Sequence, residues 1–158
     1  MTWVELCHDK RLQDLPFKIE LNRFGKIEMS PTSNFHSYFA SEMAQILKRL
    51  LPEGKTIVEC GIDTADGTKV AEVAWASNKT FAIIKREFSC SVAPEICVEV
   101  LSPFNSKAEM EFKKQLYLRA GAQEYWVCEK SGKMQFFNVE GRLAHSILCR
   151  GFPSKLQV

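Results

Sequence analysis

Glu72 and Glu99 each stand in the middle of a run that otherwise reads as buried β-strand. In Glu95-Ile96-Cys97-Val98-Glu99-Val100-Leu101, the residues Ile96, Val98 and Val100 form a β-branched row at every second position, and Glu99 falls on the other face. In Lys69 to Ser77, alternation places Ala71, Val73 and Trp75 on one face and Val70, Glu72, Ala74 and Ala76 on the other. An ionised carboxylate among such neighbours is costly unless a cation meets it. Two carboxylates from neighbouring strands can share a hard divalent cation such as Mg²⁺ or Mn²⁺, which prefers oxygen ligands and keeps several waters. Such an ion lowers the pKa of bound water and stabilises charge on a scissile phosphate. Lys113, on the inward arc of the following helix, could orient the attacking water or neutralise the developing charge. These are the parts needed to hydrolyse a phosphodiester. The same spacing also suits a buried Glu–Lys ion pair with a second carboxylate at the end of a sheet.

His36 and Glu95 are secondary candidates. His36 lies in the first turn of a helix, on its apolar arc, where it either packs and caps or contacts a phosphate or water at the mouth of a cleft. Glu95 is expected to point the same way as Glu99 but nearer the strand start, in a supporting or solvent-facing position. Tyr125-Trp126 reads as strand core.

The elements that must hold these residues follow from the pattern. Phe17–Leu21 and Lys26–Met29 form a hairpin, with Gly25 at the turn position that favours a positive φ. Residues 1–16 precede it as an N-terminal extension to a single domain spanning 1–158. Ser33 or Asn34 caps a helix over 34–51, on which Phe39, Met43, Ile46, Leu47 and Leu50 share an arc. Strands are expected at Thr56–Ile62 and Lys69–Ser77, then at the strand carrying Glu99, which ends at Ser102-Pro103. Ser106 and Glu109 have capping-box spacing and start a second helix running to about Ala120, with Gly121 after it. Its inward arc takes Phe112, Lys113, Leu116, Tyr117 and Ala120 and leaves Lys114 outside. Strands follow at Glu124–Cys128, Lys133–Val139 and Leu143–Cys149. The order predicts an α/β (α+β) fold, one central mixed β-sheet flanked by α-helices.

Composition narrows the function classes. With 158 residues, 46% of them hydrophobic, the chain can bury a core. A net charge of +2 with no polybasic run argues against non-specific nucleic-acid binding by charge alone. No apolar run approaches the ~20 residues of a membrane span, and the N-terminus lacks signal-peptide pattern, so a cytoplasmic location is expected. The six cysteines contain no CxxC pair. Cys60, Cys97 and Cys128 fall in strand-like runs and read as small buried residues in a reducing compartment.

Several segments, taken in order, resemble the Uma-two family of proposed restriction endonucleases. They are Met29-Ser30-Pro31-Thr32-Ser33 with His36, the run APEICVEVLSPFNS from Ala93 to Ser106, and KKQLYLRAGAQEYWVCE from Lys113 to Glu129. The resemblance covers about Phe17 to Phe152. It implies the restriction-endonuclease-like fold of the PD-(D/E)XK nuclease superfamily and a Mg²⁺- or Mn²⁺-dependent DNA endonuclease. It further implies that Glu72 and Glu99 are catalytic metal ligands. The superfamily lysine ordinarily sits two residues after the second acid, where this chain has Leu101. In the family a lysine on the next helix replaces it, which matches Lys113. The chain departs from the pattern in having Ala71-Glu72 for Pro-Asp and Glu95 for Asp. A glutamate reaches one methylene further, and about 1 Å can spoil a preorganised site. The alternative is therefore a catalytically inactive member of the same fold, acting as a DNA- or protein-binding module. A nuclease cutting both strands is expected to form a homodimer.

Overall fold

The computed structural model describes residues 1–158. A short helix α1 (Trp3–His8) buries Leu6 and is followed by a 3₁₀ turn at Lys10–Leu12. Strands β1 (Phe17–Leu21) and β2 (Ile27–Pro31) pair antiparallel as the expected hairpin, with Gly25 at φ +73°. Helix α2 (Asn34–Leu50) starts where Ser33 Oγ accepts the His36 backbone N–H. Then come β3 (Lys55–Thr64), β4 (Gly67–Ala76), α3 (Asn78–Ile84), β5 (Ile96–Val100), α4 (Lys107–Arg119), β6 (Glu124–Cys128), β7 (Met134–Asn138) and β8 (Gly141–Leu143).

Six strands form one mixed sheet in the order β3-β4-β5-β6-β7-β8. Only β5 and β6 are parallel, and α4 makes the crossover between them. On one face, Phe39, Met43 and Leu47 of α2 pack on Val73, Ile96, Val98, Trp126 and Phe136. On the other, Ile84 of α3 and Tyr117 of α4 pack with Ala74, Cys97, Tyr125 and Val127. Both faces of β5 and β6 are thus covered, and all ten residues of these two strands are buried. Cys60, Cys97 and Cys128 are among the buried residues.

Two features of the sheet shape the cleft. The β4–β5 ladder runs only over Val73↔Val98, Ala74↔Cys97 and Trp75↔Ile96. It stops one residue short of Glu72 and Glu99, so the two strands part at those residues. In addition, Ala71 does not share a cluster with Val73, as strict alternation requires; it packs with Ala74 and Ala76. The phase break falls at Glu72. Opposite it in β3, Glu59 sits at φ +50° and drops out of the pairing between Val58↔Val73 and Cys60↔Ala71.

The β1–β2 hairpin forms a separate two-stranded sheet set against β4. Gly67 permits the close approach: its φ is +77°, and a Cβ there would collide with the Leu21 carbonyl. The final strand is shorter than the sequence suggests. The expected Leu143–Cys149 strand ends at Leu143, because the Ile147 and Leu148 amides turn away from any ladder and donate to Glu124.

Candidate active site

The fork between β4 and β5 opens into a cleft of about 600 Å³. Lys18, Glu20, His36, Glu72, Glu99 and Lys113 line it. Each is delivered by a different local rule. Lys18 and Glu20 share one face of β1, two residues apart. Glu72 sits at the phase break of β4, and Glu99 is the last but one residue of β5. His36 comes from the first turn of α2. Lys113 and Tyr117 lie on the same face of α4, one turn apart.

The two strand carboxylates converge on one point, and an ammonium holds it. Lys18 Nζ donates to Glu72 Oε1 and to Glu99 Oε2, each at 2.9 Å. Glu20 Oε2 lies 3.9 Å from the same nitrogen. The other Glu99 oxygen, Oε1, accepts from Tyr117 Oη at 2.7 Å and from Lys113 Nζ at 3.3 Å. Lys113 also donates to Glu20 Oε2 at 3.0 Å, and that oxygen takes the Val70 backbone N–H at 2.7 Å. The result is a chain of charge-assisted hydrogen bonds linking the hairpin, both central strands and α4.

The electrostatics follow from these contacts. Glu72, Glu99 and Glu20 are all buried. Burial pushes the Glu72 carboxyl up, but the His36 imidazole and the Lys18 ammonium outweigh it and hold it at about 2. Glu20 is likewise pushed up by burial and pulled below its ordinary value by Lys113 and Lys18. Burial disfavours charge on Lys18, yet Glu99, Glu20 and Glu72 raise it above the usual lysine range. Tyr117 is raised far above the usual phenol range by burial and by the Glu99 charge, which keeps it a donor. The buried His36 Nε2 lies 2.7 Å from Glu72 Oε1, at ion-pair distance, on the edge of the carboxylate pair.

The donor chemistry suits a hard cation at the point where the Lys18 ammonium now stands. Carboxylate oxygens from two strands face that ammonium, and the His36 imidazole borders it. No three His, Cys, Asp or Glu side chains are grouped so as to hold a metal ion. Glu72 and Glu99 are the two residues that would hold a metal, at the position the Lys18 ammonium takes.

Glu72, Glu99 and Lys113, picked from the sequence, are thus brought together around one cleft. His36 also lines it. Lys114 lies outside, paired with Glu111 at 2.7 Å and over the Phe137 ring. Glu95 does not accompany Glu99. It accepts from Ser77 N, Ser77 Oγ and Thr80 Oγ1 and so fastens the start of α3. Phe112, expected on the inward arc, is 51% exposed at the cleft rim, since the buried face of α4 centres on Leu116 and Tyr117. Sequence reasoning missed Lys18, Glu20 and the hydroxyl role of Tyr117. The signal for the first two was present: two charges on one face of an alternating apolar strand.

Comparison with known proteins places this geometry. A solved structure titled "Crystal structure of a putative nuclease belonging to DUF820", from Anabaena variabilis ATCC 29413, superposes with a TM-score of 0.69. The match is 18% identical and covers 87% of this chain and 79% of that one, so it shows a shared fold. Curated proteins gave no match. No helix is long and apolar enough to cross a membrane. The Uma2 family model, described as "Putative restriction endonuclease", matches residues 8–145, and the chain belongs to that family.

Proposed function

We propose that the protein is a metal-dependent endonuclease that hydrolyses phosphodiester bonds in DNA, with Mg²⁺ or Mn²⁺ as cofactor. The observation that carries this reading is the convergence of Glu72 Oε1 and Glu99 Oε2, from strands that part at those residues, on a single cation position. The family description and the nuclease-like fold point the same way. When bound there, a divalent ion supplies Lewis acidity toward the scissile phosphate.

The chain's own residues do the rest. Glu72 and Glu99 present hard oxygen ligands. Tyr117 fixes the rotamer of Glu99 through a 2.7 Å hydrogen bond to Oε1. Lys113, held by Glu20 and Glu99 and still part-exposed to the cleft, has one ammonium N–H left to orient a water or meet a phosphate oxygen. Glu20 positions Lys113 and is itself pinned by the Val70 amide.

A second reading is a catalytically inactive DNA- or protein-binding module. It is favoured by one observation, the Lys18 ammonium in the cation position. Nicking of supercoiled plasmid separates the two. The nuclease reading expects relaxed circles to accumulate in Mn²⁺ and to vanish with Glu99→Ala. No nicking by the wild type in Mn²⁺ or Mg²⁺, or equal nicking by the variant, would contradict it.

A further inference from the structure

We infer that Lys18 is a built-in competitor for the metal position, so that the ion enters by displacing the Lys18 ammonium from between Glu72 and Glu99. This deepens the nuclease reading and rests on it.

Three observations carry the inference. The first is position. The ammonium donates to one oxygen of each carboxylate at equal distances of 2.9 Å, the place an ion shared by both strands must take. Lys18 and an ion cannot both be there. The second is attachment. Lys18 stands on the hairpin, whose two strands form a sheet of their own, whereas its acceptors stand on the central sheet. A lysine side chain has four rotatable stem bonds, so the ammonium can leave with the fold intact. The third is charge. Six carboxylates line the cleft against three lysines, Lys18, Lys69 and Lys113. Exchanging one positive charge for two reduces the remaining excess of negative charge.

The consequence is quantitative. If the metal-ready state, with Lys18 withdrawn, is populated to a fraction f, the apparent dissociation constant is the intrinsic one divided by f. Three carboxylates within 4.0 Å of Lys18 Nζ favour the seated state. A ready fraction of about one-tenth or less gives a penalty of at least roughly tenfold.

The probe is MnCl₂ without nucleic acid. In calorimetric titration, Lys18→Met is expected to bind Mn²⁺ at least tenfold more tightly than the wild type. Lys113→Met removes the same charge near Glu99 but leaves the shared position filled, and the expected gain is smaller. Equal or weaker binding by Lys18→Met overturns the inference and leaves the metal reading standing. No Mn²⁺ binding by any of the three proteins overturns both. Because Lys18→Met leaves three carboxylates short of a counter-ion and can fail to fold, the wild type supplies a second measurement. Amine acetylation read by peptide mass spectrometry should find Lys18 protected without metal, as its side chain is 11% exposed. Saturating Mn²⁺ should raise its labelling several-fold while that of Lys114 stays constant. Unchanged Lys18 labelling in protein that binds Mn²⁺ overturns the displacement.

Discussion

Glu99 and Glu124 lie on adjacent parallel strands, both buried, and solve the same electrostatic problem in opposite ways. Glu124 meets no cation. It accepts from Trp126 Nε1, Ser146 Oγ and the backbone amides of Ile147 and Leu148, all between 2.7 and 2.9 Å. These donors are neutral, short-tethered and fixed by the fold. Glu99 is held by two lysines and a phenol at the wall of a cleft. Its partners are charged and, for the lysines, sit on long flexible stems. A carboxylate satisfied by backbone amides is a fastener, because removing a donor means unfolding a loop. A carboxylate satisfied by ammonium groups beside open space can exchange its partner for another cation. The proposed chemistry therefore belongs to the β4–β5 fork, and the β6 end of the sheet belongs to stability.

The largest effect should come from breaking the fastener. Glu124→Ala strands two buried and two part-buried donors, and the expected loss is about 3 kcal/mol of unfolding free energy. Chemical denaturation should show it, with the Mn²⁺ affinity of the surviving folded fraction unchanged. If Glu124→Ala were as stable as the wild type, the contrast with Glu99 would collapse.

The next effect sharpens the fork. Lys113→Ala is expected to lower the nicking rate about 100-fold, the scale of one lost charge-stabilising donor. Lys114→Ala, one residue along the same helix, should leave the rate within about twofold, since Lys114 sits outside the cleft on Glu111 and the Phe137 ring. Equal losses in both would mean that helix charge, rather than the Lys113 position, sustains activity.

The smallest effect concerns Glu95, a second carboxylate served by neutral donors. Burial pushes its carboxyl up, but the Ser77 and Thr80 hydroxyls and the Ser77 amide pull it below the ordinary 4.5. A lowered folded-state pKa adds stability that is fully present above 4.5 and lost as pH falls through the lower folded value. The stability gap between wild type and Glu95→Gln should be constant from pH 7 to 5 and shrink by pH 3. A gap that widened in acid would reverse the assignment.

Much of this was legible in the chain itself. The period-two rows around Glu99, the Ser33 and Ser106 caps and the arc of Lys113 all follow from local rules, and the structure brings Glu72, Glu99 and Lys113 to one cleft. What was hidden depends on long-range contact. Lys18 and Glu20 are separated from Glu72 by 54 and 52 positions, and nothing local says that the hairpin docks on β4. The break in alternation at Glu72 lies opposite the positive φ of Glu59 in the neighbouring strand. The missing end of the last strand arises because Glu124 captures its amides. Glu95 looked like a companion of Glu99 by spacing, but it precedes β5 and is claimed by the start of α3.

The central claim is that Glu72 and Glu99 form one exchangeable cation site. Anomalous diffraction from crystals soaked in Mn²⁺ tests it most directly. A single manganese peak is expected, bonded to Glu72 Oε1 and Glu99 Oε2, with the Lys18 ammonium gone from between them. A soaked crystal with no peak at the fork and Lys18 still bridging the two carboxylates would contradict it.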